Sequence, residues 1–176
     1  RFTCEGKFRD CRIPVSCLVG KEGEGMDILQ RVLPEVSCAT AARAVGITQA
    51  GLDSAAEYAS TRIQFGRPIG KFESVQFKLV AMATKLEAAR QLLYKAISLV
   101  EQKSPKAATV AAMAKNFATD VAMESTTDAV QIHGGYGYMK ELGIERLMRN
   151  AKLAQITGIS NQIEQLLIVK SLLSFL

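Results

Sequence analysis

The stretch from Ser104 to Tyr138 reads SPKAATVAAMAKNFATDVAMESTTDAVQIHGGYGY, and it gives the clearest indication of the fold. Serine followed by proline is typical of a helix start, because the serine caps the first turn and proline fits the first helical position. The residues after Pro105 are rich in alanine, so we predict a helix to about Ile132 that lies close to its neighbours. His133 and the glycines that follow it predict a turn.

The same period of 3.6 residues extends over most of the chain on both sides of this stretch. It predicts four further helices, namely 26–64 with a kink or restart at Pro34, 73–102, 142–156, and a last one from Asn161. Glu164 follows Asn161 at the spacing of a capping box. The last helix is apolar on nearly every side, so we expect it to be buried in the domain or against another subunit. Long helices with short links predict an all-α fold, an up-and-down helical bundle.

The first fifteen residues, RFTCEGKFRDCRIPV, differ from the rest because apolar and polar side chains alternate up to Pro14. This alternation predicts a short strand. One strand does not stabilise itself, so we expect it to be the edge of a sheet that another part of the protein supplies. We therefore assign residues 1–25 to the end of a β-domain and a linker, and residues 26–176 to the bundle domain.

Composition excludes several classes of protein. The chain has 176 residues, 48% of them apolar and 22% charged, as in a globular domain. It contains no run of 18 uncharged apolar residues, so we predict no membrane span. The net charge of +5 comes from scattered Lys and Arg, which indicates a solvated surface and no nucleic-acid site. The cysteines lack zinc-ligand spacing, so we predict no metal and buried, reduced thiols in a cytoplasmic-type compartment: Cys4, Cys11, Cys17 and Cys38.

Four strings of residues stand in a characteristic order and spacing. They are FRDCRIPVSCLVGKEGEGM at 8–26, RIQFG at 62–66, QIHGGYG at 131–137 and ERLMRNAK at 145–152. Together they resemble the C-terminal helical domain of the acyl-CoA dehydrogenase family over essentially the whole chain. The first string resembles the last strand of that family's middle β-domain and its link into the helical domain.

The resemblance implies a function for the full-length protein. Members of this family are FAD flavoproteins in which a carboxylate removes the α-proton of an acyl-CoA thioester while the β-hydrogen leaves as hydride to the flavin. The electrons then pass to an electron-transfer flavoprotein. The resemblance also implies a homo-oligomer, dimer or tetramer, formed through the bundle, and a cytoplasmic or mitochondrial-matrix location. We expect the 176 residues alone to be inactive, because the flavin and substrate pockets need the other domains.

Six residues match family positions that contact FAD: Arg62, Phe65, Gln76, Gln131, Gly134 and Gly135. By resemblance, Arg62 reaches the FAD of a neighbouring subunit, Phe65 covers its adenine part and Gln76 hydrogen-bonds the dinucleotide. An arginine fork suits phosphate oxygens, and a glycine pair lets backbone approach a ligand closely. His133 is interpreted as a hydrogen-bonded turn residue rather than an acid or base.

The chain departs from the family at the catalytic base. Gly158 stands where most members carry the glutamate, and Val36 stands at the alternative base position in the first long helix. Neither side chain accepts a proton. Glu35 is adjacent to that alternative position but is expected to point about 100° away from it, so it is the weak remaining candidate. Glu164 is interpreted as a helix cap.

The missing base leaves several functions open. Four alternatives are open. The first two are a working dehydrogenase whose base comes from another segment, and a non-catalytic paralogue or subunit. The other two are a flavin oxidase or monooxygenase relative, and an assembly module without a cofactor. The matches at Arg62, Phe65, Gln76 and the Gly134–Gly135 pair favour FAD binding over assembly alone.

Overall fold

A computed structural model describes residues 4–173, and within them it confirms the all-α bundle. The helices are α1 Gly25–Thr61, α2 Glu73–Glu101, α3 Ala107–His133, α4 Gly135–Tyr138, α5 Ile144–Ile156 and α6 Asn161–Leu172. Two short strands, β1 Ile63–Gln64 and β2 Arg67–Pro68, form an antiparallel hairpin that the sequence did not predict. Single 3-10 turns occupy Val15–Cys17 and Ile69–Lys71. Among the described residues, no helix is both long enough and apolar enough to cross a membrane.

Helix α3 is the central element, since it packs against α2, α4, α5 and α6. Its ion pairs with α2 run in opposite directions along the two helices, Lys78 with Asp128 and Lys85 with Glu124, so the pair is antiparallel. The buried core is dominated by alanine: Ala41, Ala44, Ala89, Ala96, Ala111, Ala114, Ala118, Ala122 and Ala151. Small side chains let helix axes approach closely, as the sequence predicted. Pro34 lies inside the continuous helix α1.

The predicted helix starts need correction at two places. Helix α3 begins at Ala107, because Ser104 instead closes a turn in which the Ala107 N–H donates to the Ser104 carbonyl at 2.9 Å. Helix α6 has Ser160 as its N-cap, so the predicted capping box of Asn161 and Glu164 is wrong. Both side chains are buried and hydrogen-bond to other helices, Asn161 to Thr119 on α3 and Glu164 to Ser37 on α1, instead of capping the N–H groups of the helix start.

The apolar side chains of α6 do not form the buried face that the sequence suggested. Its buried residues are Asn161 and Glu164, whereas Ile163, Leu166 and Leu172 are exposed in this chain. These exposed residues are therefore not covered within this domain. Contact with another subunit remains the prediction for this surface.

The predicted N-terminal strand is not formed between Cys4 and Pro14, and Arg1–Thr3 lie outside the described residues. A strand needs a partner for its hydrogen bonds, and no described segment pairs with this one.

The cysteines of the same region, Cys4, Cys11 and Cys17, are exposed. The prediction of buried thiols is therefore wrong for these three residues and correct for Cys38. The chain divides into compact units at residues 1–32 and 33–176, and the predicted division at residue 25 stays a prediction.

Candidate functional site

The hairpin after α1 places Phe65 at an unusual backbone conformation. Phe65 and Gly66 are the two loop residues, with φ of 52° and 79°, and they connect the pairs Gln64–Arg67 and Ile63–Pro68. Such two-residue loops normally carry Asn-Gly, because a bulky residue is strained at positive φ. Phe65 is nevertheless 92% exposed, with only an edge contact to Phe72 at 6.2 Å. An exposed aromatic ring on a strained hairpin indicates a functional contact.

The C-terminal end of α3 lies beside this hairpin. Helix α3 stops at Gly134, whose φ of 60° and ψ of −139° suit only glycine. Added Cβ atoms at Gly134 and Gly135 would meet nothing within 4 Å, so the backbone here is open to a ligand. Gly137 is different, because a Cβ there would lie 2.5 Å from the Val130 carbonyl. The glycines of this turn therefore serve access at Gly134 and Gly135, and close packing at Gly137.

A cavity of about 710 Å³ lies between the hairpin and the α3 end. Arg62, Gly134 and Gly135 line it together, so the structure brings half of the predicted cofactor residues to one place. The Arg62 guanidinium carbon is 5.7 Å from the Tyr136 ring centroid, within cation–π range. No carboxylate among residues 4–173 pairs with Arg62, so its donors remain available for an anion.

A second cavity, of about 420 Å³, adjoins the first through the shared wall residues Gln64, Ile69 and Ile132. Phe65 and Gln131 line this cavity. Sequence reasoning missed Gln64, Tyr58 and Lys78, which also line the two cavities. Gln64 belongs to the quoted RIQFG string, and its polar amide two residues after Arg62 was a signal that could have found it.

Gln76 lines neither cavity. Its Nε2 donates to the Gly70 carbonyl at 2.9 Å and so holds the turn before α2. A Cβ at Gly70 would meet the Ala59 carbonyl at 3.0 Å, which shows how closely that turn approaches α1. The contact of Gln76 with a dinucleotide stays a prediction, and the structure gives it a local role.

His133 is buried at the wall of the larger cavity. Its Nδ1 is 2.8 Å from the Ala129 carbonyl and its Nε2 is 3.2 Å from Ser54 Oγ. Since a carbonyl only accepts, Nδ1 carries the proton and Nε2 accepts from the Ser54 hydroxyl in the neutral ring. The ring also stacks on Tyr58 at 4.4 Å. These contacts agree with the prediction of a hydrogen-bonded turn residue.

The two positions that lack a base meet at one place. Gly158 has φ of 77°, and a Cβ added to it would lie 3.4 Å from Val36 Cγ1 and 3.9 Å from Thr40 Oγ1. A carboxylate from either position would therefore reach the same space. Neither present side chain is a proton acceptor there, as the sequence indicated. Glu35 is exposed. The pKa of Cys38 is raised mainly by burial, then by the charge of Glu164, and least by the charge of Glu35.

Glu164 is a buried carboxylate rather than a helix cap. Its Oε1 accepts from Ser37 Oγ at 2.7 Å across α1 and α6. Among residues 4–173, no group of three or more His, Cys, Asp or Glu side chains is placed to hold a metal ion.

Residues 23–173 match the family profile "Acyl-CoA dehydrogenase, C-terminal domain". The chain belongs to the acyl-CoA dehydrogenase family. This family is FAD-dependent in general, and its members are oxidoreductases. The residues that line the two cavities therefore come from a fold that serves flavin chemistry in related proteins.

The chain is 46% identical over 171 residues to an acyl-CoA dehydrogenase of Bacillus subtilis, covering 97% of this chain and 45% of the relative. Butyryl-CoA dehydrogenase of Megasphaera elsdenii superposes with a TM-score of 0.88 at 42% identity, covering 94% of this chain and 43% of that one. A chain in the structure described as the electron transferring flavoprotein of Acidaminococcus fermentans gives a TM-score of 0.89 at 49% identity, covering 94% of this chain and 43% of that one. The chain thus spans less than half the length of these relatives.

Proposed function

We propose that this chain is the C-terminal part of an FAD-dependent acyl-CoA dehydrogenase-like oxidoreductase, in which it holds one end of the cofactor and assembles the oligomer. The observation that carries the proposal is the pair of adjoining cavities between the hairpin and the α3 end. Five of the six residues expected at FAD line these cavities: Arg62, Phe65, Gln131, Gly134 and Gly135. That agreement supports cofactor binding over a bundle that serves assembly alone.

The donor set suits the phosphate-linked part of a dinucleotide. Arg62 offers a guanidinium fork to phosphate oxygens, and the open backbone at Gly134 and Gly135 admits them closely. Phe65 presents an exposed ring on which a flat base stacks, and Gln131 offers an amide at the edge of the same cavity. When bound, FAD supplies the hydride acceptor. This chain supplies binding and orientation, and it excludes water from the apolar wall at Ile69 and Ile132.

Removal of an α-proton requires a base that residues 36 and 158 do not provide. For acyl-CoA desaturation, another segment of the full-length protein must place a carboxylate near these two positions. The second candidate function is a flavoprotein without that step, either a non-catalytic subunit or an oxidase or monooxygenase relative. The observation that favours this second candidate is the meeting of Gly158 and Val36 at the place where a base is expected.

The exposed apolar residues of α6, namely Ile163, Leu166 and Leu172, support assembly with a second copy. We further propose acyl-CoA as the substrate and an electron-transfer flavoprotein as the electron acceptor of the full-length protein. A cytoplasmic or mitochondrial-matrix compartment suits the exposed thiols of Cys4, Cys11 and Cys17, which would stay reduced there. The chain by itself is expected to show no turnover.

The test has a cofactor arm and a chemistry arm on the full-length protein. In the first, FAD content after purification is compared between wild type, Arg62→Ala and the control Arg149→Ala, whose guanidinium pairs with Glu145 on the surface. We expect a loss of FAD in Arg62→Ala alone; equal FAD content in all three would contradict the proposed cradle. In the second, an acyl-CoA is added anaerobically. Bleaching of the flavin absorbance supports desaturation, and unchanged absorbance supports the flavoprotein without a base.

A further inference from the structure

The segment 157–160, which carries Gly158, is held from two sides by cations on other helices. From α1, Arg43 Nη2 donates to Thr157 Oγ1 at 3.0 Å. From α3, Lys115 Nζ donates to the Ile159 carbonyl and, at 3.1 Å, to Asn161 Oδ1. The two bonded residues, 157 and 159, are the immediate neighbours of Gly158. The residue before this glycine is therefore tied through its side chain to α1, and the residue after it is tied through its carbonyl to α3.

The bond from α3 is strong because Lys115 is only 1% exposed. Burial lowers the pKa of this lysine, while the charges of Glu164 and Asp120 act in the opposite direction. A buried ammonium group is tolerated only when its donors have acceptors, so loss of the Ile159 carbonyl would leave the Lys115 ammonium one acceptor short. The arrangement couples the conformation of the segment to the burial of Lys115.

Asn161 extends this attachment. Its Nδ2 donates to Thr119 Oγ1 and to Asp120 Oδ1, both at 2.9 Å, while its Oδ1 accepts from Lys115. One side chain thus bonds to three residues on consecutive turns of α3. The far end of the segment is fixed to the central helix, and α6 starts from that point.

Gly158 has no side chain with which to fix its own position, and glycine is the least restricted residue. Its φ of 77° and its approach to Val36 therefore depend on the bonds made by its neighbours. We propose that Arg43 and Lys115 are positioning residues that hold segment 157–160 so that residue 158 lies against Val36. The effect of this positioning on acyl chemistry rests on the proposed function. The position of the segment itself does not depend on it.

The first test is amide hydrogen exchange on the full-length protein, comparing Lys115→Met with wild type. Methionine has a similar length and no donor. We expect exchange at residues 157–161 to rise at least about tenfold more than exchange in α2. The control is Met82→Ala, which creates a cavity in α2 far from the segment. It is expected to raise exchange without an excess at 157–161. An equal rise everywhere in Lys115→Met would overturn the proposal.

Two further variants keep the test decisive if Lys115→Met does not fold. Asn161→Ala removes one acceptor and leaves the Ile159 carbonyl to the ammonium group, so it is a milder change with the same expected pattern. Arg43→Met is compared with Arg43→Lys, which retains a cation beside Thr157. We expect excess exchange at the segment in Arg43→Met and less in Arg43→Lys. Identical exchange in the two arginine variants would contradict the role of Arg43.

The second test uses Val36→Glu as a reporter of chemistry. If this variant dehydrogenates an acyl-CoA, adding Lys115→Met should lower kcat about 100-fold with little change in KM, since a shift of about 1 Å costs that much. Adding Met82→Ala should leave kcat unchanged. An unaffected kcat in the Lys115→Met double variant would overturn the positioning role. If Val36→Glu is inactive, the proposed acyl-CoA chemistry fails alone, because the exchange measurement still decides where the segment lies.

Discussion

The cofactor end and the base end of this bundle differ in what they retain. At the cofactor end, the hairpin and the α3 terminus place Arg62, Phe65 and Gly134 around adjoining cavities. At the base end, Val36 and Gly158 approach each other without a carboxylate between them. Both ends belong to the same bundle. Under the proposed function, this difference means that a fold can keep the geometry for a cofactor while its proton-transfer group changes independently.

Strain shows the same contrast. Phe65 occupies positive φ at 92% exposure, a conformation that costs stability and gains only an edge contact with Phe72 in return. Gly158 also has positive φ, but glycine adopts it without cost. Under the proposed function, the strain at Phe65 is offset by the use of its exposed ring in cofactor binding.

The largest expected effect comes from restoring a carboxylate at the base end. If no other segment of the full-length protein supplies the base, Val36→Glu should raise acyl-CoA dehydrogenation by about 10²–10⁴-fold, the usual contribution of a positioned base. Gly158→Glu should give less, because a side chain at φ of 77° is strained. Anaerobic flavin bleaching rates measure both, and Ala42→Glu, at an exposed position further along α1, is the control. Equal bleaching rates for Val36→Glu and wild type would contradict the view that the base end lacks only a carboxylate.

At the cofactor end, Arg62→Ala should weaken FAD binding by about 10–100-fold, which corresponds to one charged hydrogen bond of about 1.5–3 kcal/mol. Titration of the apoprotein with FAD, followed by flavin fluorescence, gives the dissociation constant. Arg67→Ala serves as the control, since its guanidinium lies 4.2 Å from the Phe72 ring rather than at the larger cavity. If only the control Arg67→Ala lost affinity for FAD, the phosphate contact would belong to Arg67 and the prediction for Arg62 would be wrong.

A smaller effect is expected at the hairpin. Phe65→Asn should increase the free energy of unfolding by about 1 kcal/mol, because asparagine tolerates positive φ better than phenylalanine. The same change should weaken FAD binding, since the exposed ring is lost. Urea denaturation without FAD and titration with FAD separate the two effects. Stability and affinity moving in the same direction would show that Phe65 has no special role in binding.

The smallest effect concerns pH. The folded state lowers the pKa of Lys115 below its ordinary 10.5, so between these two values the unfolded chain binds more protons than the folded one. Stability from this residue therefore rises with pH across that window. The difference in unfolding free energy between wild type and Lys115→Met should shift in favour of wild type as pH increases. Urea titrations at several pH values measure it, and the effect of Cys38 cancels because both proteins contain it.

Much of the fold was predictable from local patterns. The alanine-rich stretch, the apolar period and the glycine turn after α3 each depend on near neighbours, so helix boundaries were close for α2 and α5. The errors came from long-range contacts. Asn161 and Glu164 looked like a capping box, but Ser37 and Thr119, more than 40 positions away, gave them buried partners. The strand expected before Pro14 had no partner with which to pair.

The candidate site shows the same limit. The family resemblance pointed to Arg62, Phe65, Gln131, Gly134 and Gly135, which stand in recognisable strings and line the two cavities. It missed Lys78 and Tyr58, whose positions on long helices give no local signal. Arg43 and Lys115 were also missed, because their partners Thr157 and Ile159 are distant in sequence.

The alanine core described above makes this domain unequally tolerant of change. Side chains such as Ala111, Ala118 and Ala129 are fully buried and already nearly as small as a side chain can be. Truncating them removes little volume, whereas enlarging any of them forces two helices apart. Damaging substitutions in this bundle should therefore be mainly those that add atoms. Substitutions should be tolerated at the surface, whereas side-chain size is restricted along the helix contacts.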